Sequence, residues 1–231
     1  MAKPTDIRFT KINDWQEELS LGSKKAIIQR GDIVLDAGPG SAMINIFSLI
    51  IRLVTDNPYH HAMFYDEAGR VVHATWPTVE SNYLQCLYLK AEDATLTWVR
   101  PKHHKKEDDK MVYTPVNAKE ALDSLQFCEK QIGDHYDLIA NAGFLFRADG
   151  LPCMPEELYR LFQNRNWLSR RDEWFCSELA SAGWWNGANL ALVDDMKQKD
   201  FLSPADIYDS LYVDAVCTLI IEKGEANLYV K

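Results

Sequence analysis

The sequence lacks most of the features that would settle a function quickly. No apolar run is long enough to cross a bilayer: the most apolar stretch, Ala42 to Val54, is short and is interrupted by Asn45 and Arg52. The opening residues, MAKPTDIRFTKINDW, contain no signal-peptide core, so neither a transmembrane segment nor Sec export is expected. Positive charge is scarce, with 25 Lys and Arg against 34 Asp and Glu and a net charge of −9, which argues against nucleic acid as a partner. The longest basic cluster, Lys102-His103-His104-Lys105-Lys106, runs straight into Glu107-Asp108-Asp109 and reads as a solvated loop. There is no CxxC pair. The five cysteines, Cys86, Cys128, Cys153, Cys176 and Cys217, are odd in number and scattered, which excludes a disulfide framework and favours reduced, cytosolic folding.

Several catalytic signatures are missing too. Gly38-Pro39-Gly40 is too short and too rigid for a phosphate loop, and no GxSxG nucleophile elbow occurs. The pairs His60-His61 and His103-His104 lack the i, i+4 spacing of HExxH, and nearby acids complete no ligand set. Neither a cofactor nor a metal is therefore expected. What remains is a chain of 231 residues, 47% apolar and 26% charged, long enough to bury a substantial core and read as a single domain over 1–231.

Its punctuation is clear in places. Gly31 to Leu35 reads as a short buried strand ending at Gly38-Pro39-Gly40. Met43, Ile46, Ile50 and Val54 then recur at helical spacing behind a Ser41 cap. Leu96 to Arg100 is a further strand. Asn117 and Glu120 form a capping box for a helix to Ile132, closed by Gly133, whose apolar stripe makes Cys128 a core residue. Residues 147–171 contain Pro and Arg and read as a lid or insertion. A helix follows from about Asp172 to Trp185, and Val216 to Ile221 is a buried strand containing Cys217.

The segment HHAMFYDEAGRVVHATW, residues 60–76, is the most informative. Two runs of β-branched and aromatic residues flank a turn, and a three-residue loop of Glu67-Ala68-Gly69 puts Gly at the left-handed position. Asp66 then faces Arg70, Met63 faces His73 and His61 faces Thr75. His61 and His73 become diagonal neighbours on one face, roughly 7–8 Å apart at the backbone, while His60 points to the other. A two- or four-residue loop would reverse the parity and bring in His60 instead.

Cys176 lies in Asp172-Glu173-Trp174-Phe175-Cys176-Ser177-Glu178-Leu179, at a predicted helix start. There the partial positive charge of the helix lowers a thiol pKa, and free N–H groups can stabilise an oxyanion. A nearby histidine would make a nucleophile–base pair, and a second polar group would orient that base. On spacing alone, a buried helix cysteine with two unrelated histidines explains the residues equally well.

The order of blocks adds to this. The Gly31-Asp32 strand, a helix, His61 opening a strand, Gly133 to Tyr136-Asp137, and Cys176-Ser177-Glu178-Leu179 resemble the circularly permuted NlpC-type papain-like hydrolases. These are the YiiX/YebB-like group, related to the lecithin:retinol acyltransferase-like proteins, and the resemblance covers separated blocks from roughly Gly31 to Trp185. It implies an α+β, permuted papain-like fold in which an antiparallel sheet packs against helices and the nucleophile opens a helix. By position, Cys176 matches the nucleophile, His61 the general base and His73 the third, orienting residue. Many YiiX-like members have Glu at that third place and the acyltransferase-like branch His, so this chain departs toward the latter. It also has His60 where the family usually has Ser. Tyr136 is a packing or site-lining residue, and Asp32 is unassigned.

The resemblance implies a peptide or acyl substrate: amides of bacterial cell-wall (peptidoglycan) peptides first, and lipid esters or thioesters as the alternative. Such a hydrolase, cytoplasmic in the producer, would reach cell wall through a specialised, type VI-like secretion route. That implies an immunity protein or secretion-machine component as partner. A third reading is an inactive interaction module on the same fold.

Overall fold

The runs of β-branched and aromatic residues form strands, and most of these assemble into one antiparallel sheet. A computed structural model describes residues 6–9, 27–38, 51–52, 55–66, 69–88, 91–108, 110–137, 173–193 and 202–230. The segment 147–171 and Cys153 lie outside them, as does the expected helix over 41–54 except for Ile51 and Arg52.

In chain order the elements are β1 (Asp6–Phe9), β2 (Ile33–Asp36), β3 (His61–Tyr65), β4 (Arg70–Ala74), β5 (Val79–Tyr83) and α1 (Leu84–Tyr88). Then come β6 (Asp93–Glu107), β7 (Lys110–Pro115), α2 (Ala118–Lys130), β8 (His135–Tyr136) and β9 (Glu173–Trp174). The last are α3 (Cys176–Ala188), α4 (Pro204–Tyr208), β10 (Val213–Glu222) and β11 (Glu225–Val230). The sheet runs β1-β11-β10-β6-β2-β3-β4-β5, with β7 paired to the outer part of β6, and its strand pairs are antiparallel. This is an α+β architecture with an antiparallel sheet packed against helices.

Strand alternation divides the core into two layers. Ile33, Leu35, Ala62, Phe64, Val72 and Ala74 face one way and pack with Leu125 and Cys128 of α2 and Leu179, Ala180 and Trp184 of α3. Val34, Met63, Tyr65 and Val71 face the other way, with Leu84 and Tyr88 of α1 and Trp98, Cys217 and Leu219. In the first layer α2 and α3 approach so closely that a Cβ on Gly187 would lie 2.3 Å from the Ser124 backbone. Trp184 then reaches across to donate its indole N–H to the Gly31 carbonyl at 3.2 Å.

The capping box of Asn117 and Glu120 is present, and Cys128 and Cys217 are buried core residues. The structure revises two other boundaries. The basic run 102–106 is strand rather than loop: Lys102 to Glu107 pair with Lys110 to Pro115 in a two-stranded ribbon. Both faces of that ribbon carry polar residues, so no hydrophobic alternation marked it. The helix expected from Asp172 begins at Cys176, because Glu173–Trp174 is taken up as β9 in a parallel pair with β8. It ends at Ala188, with Asn189 in the left-handed conformation at φ 52° as its C-cap.

Candidate active site

The hairpin that bears His61 and His73 has the expected register. Phe64 faces Val72 and Tyr65 faces Val71, Asp66 N–H bonds the Arg70 carbonyl at 2.8 Å, and Gly69 takes φ +80°. The β3–β4 ladder is confined to those pairs, so the outer part of the hairpin is unpaired. Tyr65 N–H donates to the Asp32 carbonyl, so odd-numbered N–H groups of β3 face β2 and even-numbered ones face β4. The N–H of Ala62 therefore points into the opening between β3 and β4, where no β4 carbonyl meets it.

The thiol of Cys176 lies close to it instead, and the Ala62 N–H is the foremost of the groups that lower the thiol pKa. Cys176 is the first residue of α3, and its N-cap, Phe175, supplies no side-chain cap. The backbone N–H groups of Cys176 and Ser177 also act to lower the thiol pKa, while the Ser177 hydroxyl donates to the Leu202 carbonyl. Packing of Phe175, Leu179 and Trp184 against Ala62, Phe64 and Val72 fixes the helix there.

The two histidines are in direct contact. His61 Nε2 lies 3.0 Å from His73 Nδ1, the rings meeting edge to face at 81°. The chain of polar groups continues: His73 Nε2 lies 3.3 Å from Asn82 Nδ2, and Asn82 Nδ2 donates to Glu80 Oε2 at 2.9 Å. Asn82 and Glu80 stand on β5, Glu80 directly opposite His73 and Asn82 one diagonal away. Sequence reasoning missed both. Carrying the period-2 register of the hairpin one strand further, through Val79-Glu80-Ser81-Asn82-Tyr83, would have found them.

No hydrogen bond joins Cys176 to either histidine. Burial pushes the Cys176 thiol up to about 11, although the Ala62 and Ser177 donors work against that rise. The depressed thiol pKa expected from the helix start is thus reversed, because removing the sulfur from water outweighs the backbone donors around it. Burial, then the neighbouring His73 and His60, hold His61 well below the usual histidine value, and burial lowers His73 to about 4. At neutral pH the Cys176 thiol and both imidazoles are therefore uncharged.

His60 is elsewhere. Its Nδ1 lies 2.8 Å from the Asp36 carbonyl and its Nε2 3.8 Å from Asp36 Oδ2, whose carboxylate also accepts Tyr88 O–H and Gly38 N–H at 2.8 and 2.9 Å. Asp32 is a structural acid, gripped by Arg100 through Nε at 2.7 Å and Nη2 at 2.8 Å. Tyr136 is buried in the first layer and its N–H bonds the Pro77 carbonyl, next to the β8–β9 pair that leads into Cys176. Among the described residues no cluster of His, Cys, Asp and Glu is arranged to hold a metal ion.

No protein-family model matches the chain, and no curated protein is similar enough to it to count as a relative. The case for a function therefore rests on the residues themselves. Among the described residues no helix is long and apolar enough to cross a membrane.

Proposed function

We propose that the protein is a cysteine hydrolase of permuted papain-like type, with Cys176 as nucleophile, His61 as general base and His73 orienting His61. The observation that carries the reading is the meeting of three features at one hairpin mouth. A thiol at the first position of a helix lies close to the backbone N–H of Ala62, the residue after a buried histidine, and that histidine is bonded to a second at 3.0 Å. Two buried histidines in contact, both held neutral, contribute little to folding that an apolar pair would not, and such groups concentrate at working sites.

In the proposed reaction the Cys176 sulfur attacks a substrate carbonyl as its proton passes to His61. A neutral thiol with a pKa near 11 fits proton transfer in step with attack better than a preformed thiolate. Nδ1 is the one ring nitrogen His61 has left for this exchange, since Nε2 is engaged by His73. The N–H groups of the first turn of α3 are the nearest donors for the resulting oxyanion. Collapse of the tetrahedral adduct breaks the carbonyl–heteroatom bond, and the departing amine or alcohol takes the proton from His61. Water then adds to the thioester, and the carboxylic acid leaves with the thiol restored.

The substrate proposed first is an amide of bacterial cell-wall peptides, reached by specialised export with an immunity protein as partner. A lipid ester is the alternative. Trp184 is fully buried, and Trp185 is the large exposed apolar side chain among the described residues of that helix. Incubation with purified peptidoglycan and separately with phospholipid vesicles, followed by mass spectrometry, tests both. Muropeptide products lost in Cys176→Ala support the first, fatty-acid release the second, and no product from either supports an inactive interaction module.

A further inference from the structure

The chain of groups beyond His73 has a direction, and that direction bears on whether His61 can accept a proton. Glu80 is a carboxylate and can only accept, so the Asn82 amide must turn its nitrogen toward Glu80 Oε2, at 2.9 Å. The same nitrogen has a second hydrogen, and it faces His73 Nε2 at 3.3 Å. His73 Nε2 is therefore an acceptor and bears no proton. A neutral His73 then holds its proton on Nδ1 and donates it to His61 Nε2, 3.0 Å away. With Nε2 accepting, a neutral His61 holds its own proton on Nδ1, the nitrogen that would have to receive the proton of Cys176.

We infer that Asn82, anchored by Glu80, is a positioning residue that sets the tautomers of the histidine pair and holds the resting site closed to proton transfer. The inference rests on the assignment of His61 as the base. The absence of a hydrogen bond between Cys176 and either imidazole agrees with it. So do the neutral thiol and imidazoles that burial produces.

Activation then has a defined course. Turning the Asn82 amide over breaks its bond to Glu80 and presents Oδ1 to His73. His73 passes its Nδ1 proton along the 3.0 Å bond to His61 Nε2 and takes one from solvent at its own Nε2, which now donates to Asn82. His61, now protonated at Nε2, releases its Nδ1 proton to solvent and donates from Nε2 to His73. Its Nδ1 lone pair is then free for the Cys176 proton, and the count of protons on the pair is unchanged. Asn82 and Glu80 stand on β5, the edge strand of the sheet, where a bound substrate or a partner strand can disturb them without unpacking the core.

The test is long-range 15N–1H correlation of histidine-labelled full-length protein at pH 7, with the six histidines assigned by single substitution. The wild type should show His61 and His73 both protonated at Nδ1 and bare at Nε2. A His73 protonated at Nε2 in the wild type overturns the inference. In the double variant Glu80→Gln with Asn82→Asp, a carboxylate faces His73 and should bring a proton onto its Nε2. If that nitrogen stays bare in the folded variant, the inference is likewise wrong. Asn82→Ala, which removes the donor without adding charge, serves if the double variant does not fold and should give mixed tautomers; an unchanged single tautomer overturns the inference. Alkylation of Cys176 in the same samples tests the hydrolase reading separately, since reversed tautomers should raise its rate by about tenfold or more at pH 7. Reversed tautomers with an unchanged rate leave Asn82 in its role and remove His61 from the chemistry.

Discussion

The backbone N–H of Ala62 lies close to the Cys176 thiol and lowers its pKa, while the thiol makes no hydrogen bond to His61, the residue before Ala62. Cys176 thus meets β3 one residue beyond His61 without bonding its imidazole. This relationship exists because the β3–β4 ladder stops at Phe64 and Val72, leaving the Ala62 donor for the first turn of α3.

One consequence concerns thiol reactivity. With its pKa raised to about 11 and 2% of its surface exposed, Cys176 should alkylate with iodoacetamide at pH 7 roughly a hundredfold more slowly than the exposed Cys86. Its rate should climb as pH rises toward 11. Peptide mapping after timed labelling reads both sites together, and a Cys176 faster than Cys86 at neutral pH would contradict the account.

The buried histidines make stability sensitive to acid. His73 titrates near 6.5 in an unfolded chain and near 4 when folded. Above pH 6.5 both states are neutral there and nothing is gained or lost. Below it the unfolded chain binds a proton that the folded one refuses, so stability falls through the window from 6.5 to 4. The loss at this one site amounts to about 3 kcal/mol. Urea unfolding at a series of pH values measures it, and His73→Gln should flatten the curve in that window.

Much of this site could be read before any coordinates. Gly69 at the third loop position determined which residues of the hairpin face each other, and that parity paired His61 with His73. The helical stripe of 118–132 marks Cys128 as core and the apolar run 216–221 marks Cys217, and both are buried. Other parts left no local signal. Asp36 and Tyr88 meet across 52 positions and Asp32 and Arg100 across 68, and such pairings depend on sheet order rather than on spacing. The thiol pKa runs opposite to the sequence expectation because a helix start is visible in sequence and the depth of its burial is not.

The α2–α3 crossing offers a packing prediction. Gly187→Ala would force a Cβ to within 2.3 Å of the Ser124 N and Cα atoms, so the helices must separate. The expected destabilisation is about 1–3 kcal/mol by denaturant unfolding. Because α3 carries Cys176 at its other end, accelerated alkylation of Cys176 should accompany the loss.

Asp32 separates architecture from chemistry. It is 1% exposed and its carboxylate is held by Arg100 in a two-point ion pair, so Asp32→Ala leaves that guanidinium without its partner. Stability should drop by about 3 kcal/mol in denaturant unfolding. The alkylation profile of Cys176 in the folded fraction should be unchanged, since Asp32 makes no contact with the histidine pair; an altered profile would place Asp32 in the site.

The most direct test is to catch the acyl-enzyme. Wild-type protein mixed with peptidoglycan fragments, or with phospholipid vesicles, is quenched in acid within seconds and analysed by intact and peptide mass spectrometry. The account predicts an acyl mass added at Cys176 alone, absent in Cys176→Ala and greatly reduced in His61→Ala. Hydrolysis that continues in Cys176→Ala with no adduct on the wild-type thiol would contradict it.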